Sequence, residues 1–409
     1  MSLSQLARSI APSPTLALNE EARILREKGE AVIHLGAGEP KNKAPIAAIL
    51  SSAAKLTAGD IKYTPTEGTV SLRKAIVRYT EENYDRVPTI ENIIVGAGAK
   101  QCLFNLLYTI LNPQDEVIIL APYWVSYPEM VKMVYGVPVI ITPEDGTFYP
   151  RFEEVLRNVT SYTRAIIVNS PNNPSGAVYS EEFIGKLVEF CESKGIYFIS
   201  DDIYHKLVFD GKKWANPYQY TKLDIETSHV ISINGVSKLY GMTGFRVGWV
   251  VAPKKMTEIM INVQGQISTT VSLVQQAGAE GALTGVQSVI ENLRQMLENN
   301  RNIMVRELKG MSGVHLRPPD GTYYCLPDFR AYGAPFGGDS VKMCKFLLDK
   351  ARVVTVPGKE FGMDGHLRLS VCGTVKDIKQ GVERIKWAFD PQSPNEIFIG
   401  DRKLVRDWL

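Results

Sequence analysis

The chain has 409 residues, 46 Lys and Arg against 44 Asp and Glu, a net charge of +2 and 44% hydrophobic residues. That length suits one large globular unit plus a smaller one, and the near-neutral, scattered charge offers no stripe for following a nucleic-acid backbone. No run approaches the roughly 18 apolar residues of a membrane span, and the opening MSLSQLARSIAPSP lacks a signal-peptide core.

In chain order, NEEARILREKGE (19–30) reads as a helix that joins a small C-terminal domain. From residue 92 short apolar runs alternate with helical patterns. Strands are expected at 92–97, 116–122, 137–142, 164–171, 196–202, 229–235 and 245–253, with a helix over AKQCLFNLLYTIL and another over 181–194, whose apolar face is Phe183, Ile184, Leu187, Val188 and Cys191. Buried strands at this spacing predict an α/β fold with a mostly parallel sheet between helices. After residue 285 the character changes. A long amphipathic helix (286–308) leads to short strands in VHLRP, GTYYCLP, RVVTVP and HLRLSVC, with helices at 339–350 and 375–389. Thr374 and Asp377 stand as a capping box for the last helix. The expected division is a large domain of 45–285 and a smaller α+β domain of 1–44 plus 286–409. In the polar tail, Ile397, Phe398, Trp408 and Leu409 are the candidate anchors. Cys102, Cys191, Cys325, Cys344 and Cys372 lie far apart with no CxxC pair, which predicts buried free thiols and a cytoplasmic setting.

Several motifs end on chemistry-bearing residues. Lys238 follows a strand among small or neutral residues, where an amine loses its proton cheaply and attacks an aldehyde. Arg246, eight residues on, can hold an anion. GAGAKQ (96–101) is a glycine-rich turn into a helix, and a helix N-terminus binds phosphate through free N–H groups. It is neither a Walker loop nor a dinucleotide fingerprint. SPNNPSG puts Asn173 at the carboxyl end of a strand, where open α/β sheets bind ligands, while Asn172 reads as turn structure. In SDDIY, Asp201 would be costly as an unpaired buried carboxylate, and Tyr204 follows three residues later. Trp124 stands just past another strand, and Arg368 lies in a small-domain strand, where a carboxylate is its natural partner.

Together these residues resemble the class I and II aminotransferases of pyridoxal-phosphate fold type I, and within them the bacterial aspartate aminotransferase subgroup. AGEP, KYTPTEG, APYWVSYPEM, VNSPNNPSGAVY, SDDIY and SKLYGMTGFRVGW carry the resemblance, which runs from Ser13 to Phe389. It implies that Lys238 holds the cofactor pyridoxal 5′-phosphate as a Schiff base and then moves the substrate Cα proton. It implies that Asp201 keeps the pyridine nitrogen protonated, Asn173 and Tyr204 bind the ring oxygen, and Trp124 stacks on the ring. Arg246 with Gly98, Ala99 and Lys100 would bind the phosphate, and Arg368, with the backbone at Gly38, the substrate α-carboxylate. Tyr63 would reach the neighbouring subunit's phosphate, making a homodimer part of the site. Two departures stand out. KNKAP follows AGEP where relatives carry an acidic residue, and Gly235 replaces a hydroxyl phosphate ligand, for which Ser237 is the candidate substitute.

Lys100 resembles the lysine that contacts a dicarboxylate's distal carboxylate, and Ser13 and Thr15 resemble the subgroup's N-terminal segment over the substrate. The expected reaction is ping-pong transfer from aspartate or glutamate to an acceptor such as 2-oxoglutarate. Prephenate, alanine or aromatic substrates are the alternatives, with Tyr323 and Tyr324 able to line a wider pocket. A lyase of the same fold would use the same carbanion chemistry. A regulator would need a DNA-binding domain for which too few residues precede the family region, and the missing glycine fingerprint disfavours a dehydrogenase.

Overall fold

The computed structural model describes residues 3–10, 14–399 and 402–408. Its centre is a seven-stranded sheet of β1 (Ile93–Gly96), β2 (Glu116–Leu120), β3 (Val137–Ile141), β4 (Thr163–Val168), β5 (Tyr197–Asp201), β6 (Val230–Gly235) and β7 (Gly248–Val251), in the order β1-β7-β6-β5-β4-β2-β3. Pairings among β2 to β6 are parallel, and β7 runs antiparallel to both its neighbours. Successive side chains of a strand leave opposite faces, and here the two faces feed two cores. Ile93, Val95, Ile118, Leu120, Ile166 and Phe198 enter one. Ile94, Val117, Ile119, Ile167, Ile199 and Val250 enter the other. That is why these strands read as unbroken apolar runs rather than alternating ones. The Glu181–Lys194 helix closes the first core and the Ala99–Ile110 helix the second.

Beyond the sheet, Leu367–Ser370 lies between Val356–Pro357 and Tyr324–Cys325, antiparallel to both. Ile33–His34 pairs in parallel with Val353–Val354, joining the N-terminal segment to this second layer. Some expected elements differ. VHLRP forms no strand beyond a single bridge at His315, since no neighbouring strand pairs with it over its length. The helix expected at 339–350 is α-helical only over Ser340–Phe346 and continues as a π turn over Leu347–Ala351. The N-terminal helix starts earlier, at Pro14, and ends at Glu27. The Thr374–Asp377 capping box is present in the Val375–Phe389 helix.

All five cysteines are free and buried. Among the described residues no helix is long and apolar enough to cross a membrane. The tail forms a hairpin of Glu396–Ile399 and Arg402–Val405. Phe398 is 69% exposed and does not anchor it, because it points away from the face that Ile397 and Ile399 turn inward, while Leu409 lies outside the described residues. Trp408 does anchor. Its ring sits 5.2 Å from Trp387 and 5.3 Å from Phe346, and its Nε1 donates to the Ala388 carbonyl at 3.3 Å. Trp408→Ala is expected to lower unfolding free energy by about 2 kcal/mol, below the cost for a fully buried aromatic because this ring is only partly buried. A denaturant titration checks this, with catalytic activity retained per folded molecule.

Candidate active site

Open α/β sheets bind ligands beyond the carboxyl ends of their strands, and the principal cavity, of about 980 Å³, opens there. β1 leads through Gly98 into the Ala99–Ile110 helix, β2 into Trp124, β4 into Asn169 and Asn173, β5 ends on Asp201, and β6 continues to Ser237 and Lys238. The second layer adds Tyr324, Phe361 and Arg368. The N-terminal helix adds Thr15 and Asn19. Of the residues singled out in the sequence, Gly38, Ala99, Lys100, Trp124, Asn173, Asp201, Tyr204, Ser237, Lys238, Arg246 and Arg368 all line this one cavity. Tyr63 does not; it is 87% exposed elsewhere on the surface. Ser13 lies outside the described residues.

Four cations face the cavity: Lys100, Lys238, Arg246 and Arg368. None forms a salt bridge with a carboxylate among the described residues. Arg246 donates only to carbonyls, at Thr243 (3.0 Å) and Ala97 (3.3 Å). Its backbone is left-handed, φ +52°, a strain that persists where the surroundings enforce it. Gly98 is favoured beside it, because its backbone, φ +84° and ψ 162°, is one that L side chains rarely adopt, and a Cβ there would also crowd Arg246 Nη2 at 2.5 Å. The guanidinium therefore rests against a helix N-terminus whose first N–H groups have no intrahelical acceptor. Arg368 is buried at 7% exposure and meets only neutral acceptors, Asn173 Oδ1 at 3.1 Å and the Gly36 carbonyl at 3.2 Å. Its Nε is buried without a partner, and the ring of Tyr324 stacks 4.2 Å from its guanidinium. Lys100 Nζ lies 4.8 Å over Trp124; burial lowers its pKa, with the charges of Arg246 and Lys238 adding to the effect.

Lys238 Nζ donates to the Gly38 carbonyl at 2.8 Å. Asp201 is buried, which raises its pKa, while a 2.6 Å hydrogen bond from the Tyr127 hydroxyl and the charge of Lys238 act against that rise. Neighbouring Asp202 does not line the cavity. It accepts from Ser200 Oγ (2.6 Å) and Tyr84 (3.1 Å), and burial pushes its pKa up to about 8. One of the two adjacent acids thus faces the cavity and the other the core. Tyr204 is buried, and burial raises its phenol pKa.

Asn172 is structural, as expected: its amide donates to the Pro122 carbonyl at 3.0 Å and its Oδ1 accepts from Ser175 Oγ at 2.6 Å. At Gly235 a Cβ would lie 2.8 Å from the Val247 carbonyl. The close approach of β6 and β7 excludes a hydroxyl side chain there, and Ser237 is among the hydroxyl residues that line the cavity. Lys41 pairs with Asp377 at 2.9 Å, and residues 41–43 are absent from the cavity lining. Three polar contacts are not legible in the sequence, although Thr15 itself is singled out there. Tyr127 stands three residues after Trp124, one helical turn on, a spacing that could have flagged it. His34 bonds Asn19 Oδ1 at 2.9 Å, and burial lowers its pKa to about 4. Thr15 bonds Glu360 through its N–H (2.7 Å) and its hydroxyl (2.8 Å). No local pattern signals those last two pairings, which join residues distant in sequence.

The sequence profile of the family described as aminotransferase class I and II matches residues 30–385. The chain belongs to the class I and II aminotransferases. It is 38% identical over 392 residues to the probable aspartate/prephenate aminotransferase of Aquifex aeolicus, covering 95% of this chain and 98% of that one. To the aspartate aminotransferase of Geobacillus stearothermophilus it is 36% identical, covering 94% and 98%. The structure of Thermus thermophilus aspartate aminotransferase with maleate superposes with a TM-score of 0.88 at 34% identity, over 95% of this chain and 100% of that one. Members of this family use pyridoxal 5′-phosphate, and this aminotransferase moves amino groups between amino acids and 2-oxo acids. The residues present fit that cofactor: an anion cradle at Gly98 and Arg246, a buried carboxylate facing the cavity at Asp201, and an amine at Lys238.

Proposed function

We propose that this aminotransferase uses the dicarboxylic amino acids aspartate and glutamate, with 2-oxoglutarate as acceptor. The observation that carries the reading is the set of four cavity cations without carboxylate partners. One cofactor phosphate and one α-carboxylate account for Arg246 and Arg368, and Lys238 is the amine that reacts. Lys100 is left for a second carboxylate. The Thermus thermophilus relative binds maleate, itself a dicarboxylate.

Bound pyridoxal phosphate supplies a carbonyl carbon for amino groups and a ring that takes up electron density from the substrate Cα. The chain's residues do the rest. The first turn of the Ala99–Ile110 helix, Arg246 and Ser237 hold the phosphate by charge and N–H donation. Asp201 keeps a proton on the ring nitrogen, and Tyr127 fixes the orientation of its carboxylate. Asn173 and Tyr204 hold the ring oxygen, and Trp124 offers an aromatic face to the ring. Arg368 orients the α-carboxylate, with its neutral partners Asn173 and Gly36 keeping its charge available. Lys238, once its amine is free, carries the Cα proton, a general-base task that needs a neutral amine.

The homodimer belongs to the same proposal. Tyr63 is 87% exposed and outside its own chain's cavity, and the nearby Ile46–Ala58 helix exposes Ile46 (68%), Leu50 (61%) and Leu56 (57%). An apolar surface of this kind supports burial against a second copy, whose cavity Tyr63 would then enter. The free, buried thiols fit a cytoplasmic enzyme.

The deciding experiment is spectroscopic. On adding L-aspartate alone to the loaded protein, the visible band of the lysine-linked cofactor is expected to vanish, and 2-oxoglutarate to restore it. A band that persists with aspartate but vanishes with an aromatic amino acid or alanine would overturn the dicarboxylate reading. Lys100→Ala should lower kcat/KM for aspartate roughly a hundredfold, the loss of one charge-assisted contact of about 1.5–3 kcal/mol, and that for alanine only a few-fold. Equal losses would assign Lys100 to the phosphate instead.

A further inference from the structure

We propose that Tyr323 is a positioning residue for Lys238: its hydroxyl keeps the Gly38 carbonyl hydrogen-bonded when the lysine amine moves away. The proposal rests on the reading of Lys238 as the base.

The Gly38 carbonyl accepts two hydrogen bonds, from Lys238 Nζ at 2.8 Å and from the Tyr323 hydroxyl at 2.9 Å. A carbonyl oxygen has two lone pairs, so both bonds coexist. Tyr323 has 0% exposure, and its ring packs 5.5 Å from Tyr204 and 4.5 Å from Tyr324. Its hydroxyl is held in place by those rings rather than by solvent.

To reach a substrate Cα proton, the Lys238 amine must leave Gly38. The Gly38 carbonyl is half-buried in the cavity wall, so losing its donor costs about one net hydrogen bond, roughly 1 kcal/mol, and that cost opposes every departure of the lysine. Tyr323 removes it, because one donor always remains. The same hydroxyl also shares the carbonyl's electron density, so the lysine is held less tightly than by a carbonyl of its own.

Placement supports this role. The Tyr323 carbonyl accepts from Val371 N at 2.9 Å, which ties it to the strand carrying Arg368. Arg368 in turn donates to Gly36 at 3.2 Å. The short segment 36–38 thus meets the arginine at one end and the lysine and tyrosine at the other.

The test is Tyr323→Phe, read first in the cofactor-free protein. After a brief acetic anhydride pulse, Lys238 acetylation is compared with that of exposed Lys254 by peptide mass spectrometry. Lys238 should label roughly fivefold more slowly than in the parent, because its bond to a sole-donor carbonyl is stronger. In the loaded enzyme kcat should fall roughly tenfold, about one bond's worth, with KM nearly unchanged and a larger kinetic isotope effect from Cα-deuterated substrate. Unchanged labelling overturns the proposal. So does faster labelling with a lowered melting temperature, which marks a purely structural tyrosine. Lys238→Ala separates the two levels: if it keeps full turnover, the reading of the base fails. If it is inactive while Tyr323→Phe labels like the parent, only the role of Tyr323 fails.

Discussion

Lys238→Ala should leave a folded protein that still takes up pyridoxal phosphate but transaminates at least about ten-thousandfold more slowly, since it loses both its nucleophilic amine and its base. The fold should survive because the side chain contributes to the cavity wall rather than to either core. The phosphate cradle at Gly98 and Arg246 is untouched by the change, so uptake should persist. The visible band of the lysine-linked cofactor should be absent. Lys100 is the second amine in the cavity and so the competing nucleophile when Lys238 is gone. A visible band in Lys238→Ala would therefore mean that Lys100 takes the cofactor, and undiminished turnover would dismiss Lys238 from the chemistry altogether.

Asp201→Asn is the second large effect. The substitution preserves shape and deletes charge. Asp201 is 7% exposed and its pKa is raised by burial, so its ionised form needs compensation. The Tyr127 hydroxyl supplies part of it at 2.6 Å, and the nearby charge of Lys238 another part. A protonated ring nitrogen would complete the pairing. Removing one partner of a buried charge pair costs about 3–5 kcal/mol, which corresponds to roughly a hundred- to several-thousandfold in kcat. Steady-state kinetics and the absorption spectrum at neutral pH check it. Activity within a few-fold of the parent would show that the ring nitrogen needs no carboxylate here.

Much of this site was readable because its residues stand at the ends of strands. Asn173, Asp201 and Lys238 each follow an apolar run that can only be a buried strand, and parallel strands deliver their carboxyl ends to one edge. Gly98 was readable for the same reason, as the turn from a strand into a helix. The second layer is less legible. VHLRP has strand-like residues but no pairing partner beyond His315, and strand propensity without a neighbour does not make a sheet. Hydrophobicity alone makes Phe398 look like an anchor, yet the hairpin's alternation turns it outward.

The central sheet, the order of its motifs and the identity of the residues that meet beyond it are written in local sequence, because buried-strand runs and turn signals are local. What those residues are paired with is set by the folded packing. The Tyr127 bond to Asp201 and the doubly bonded Gly38 carbonyl join segments far apart in the chain, and the same packing leaves the four cavity cations without a salt bridge among the described residues and the Arg368 Nε without a partner. Such contacts depend on the packing of two layers in three dimensions. No residue's own neighbours in sequence encode whether a buried charge will find its partner in the protein or must wait for a ligand.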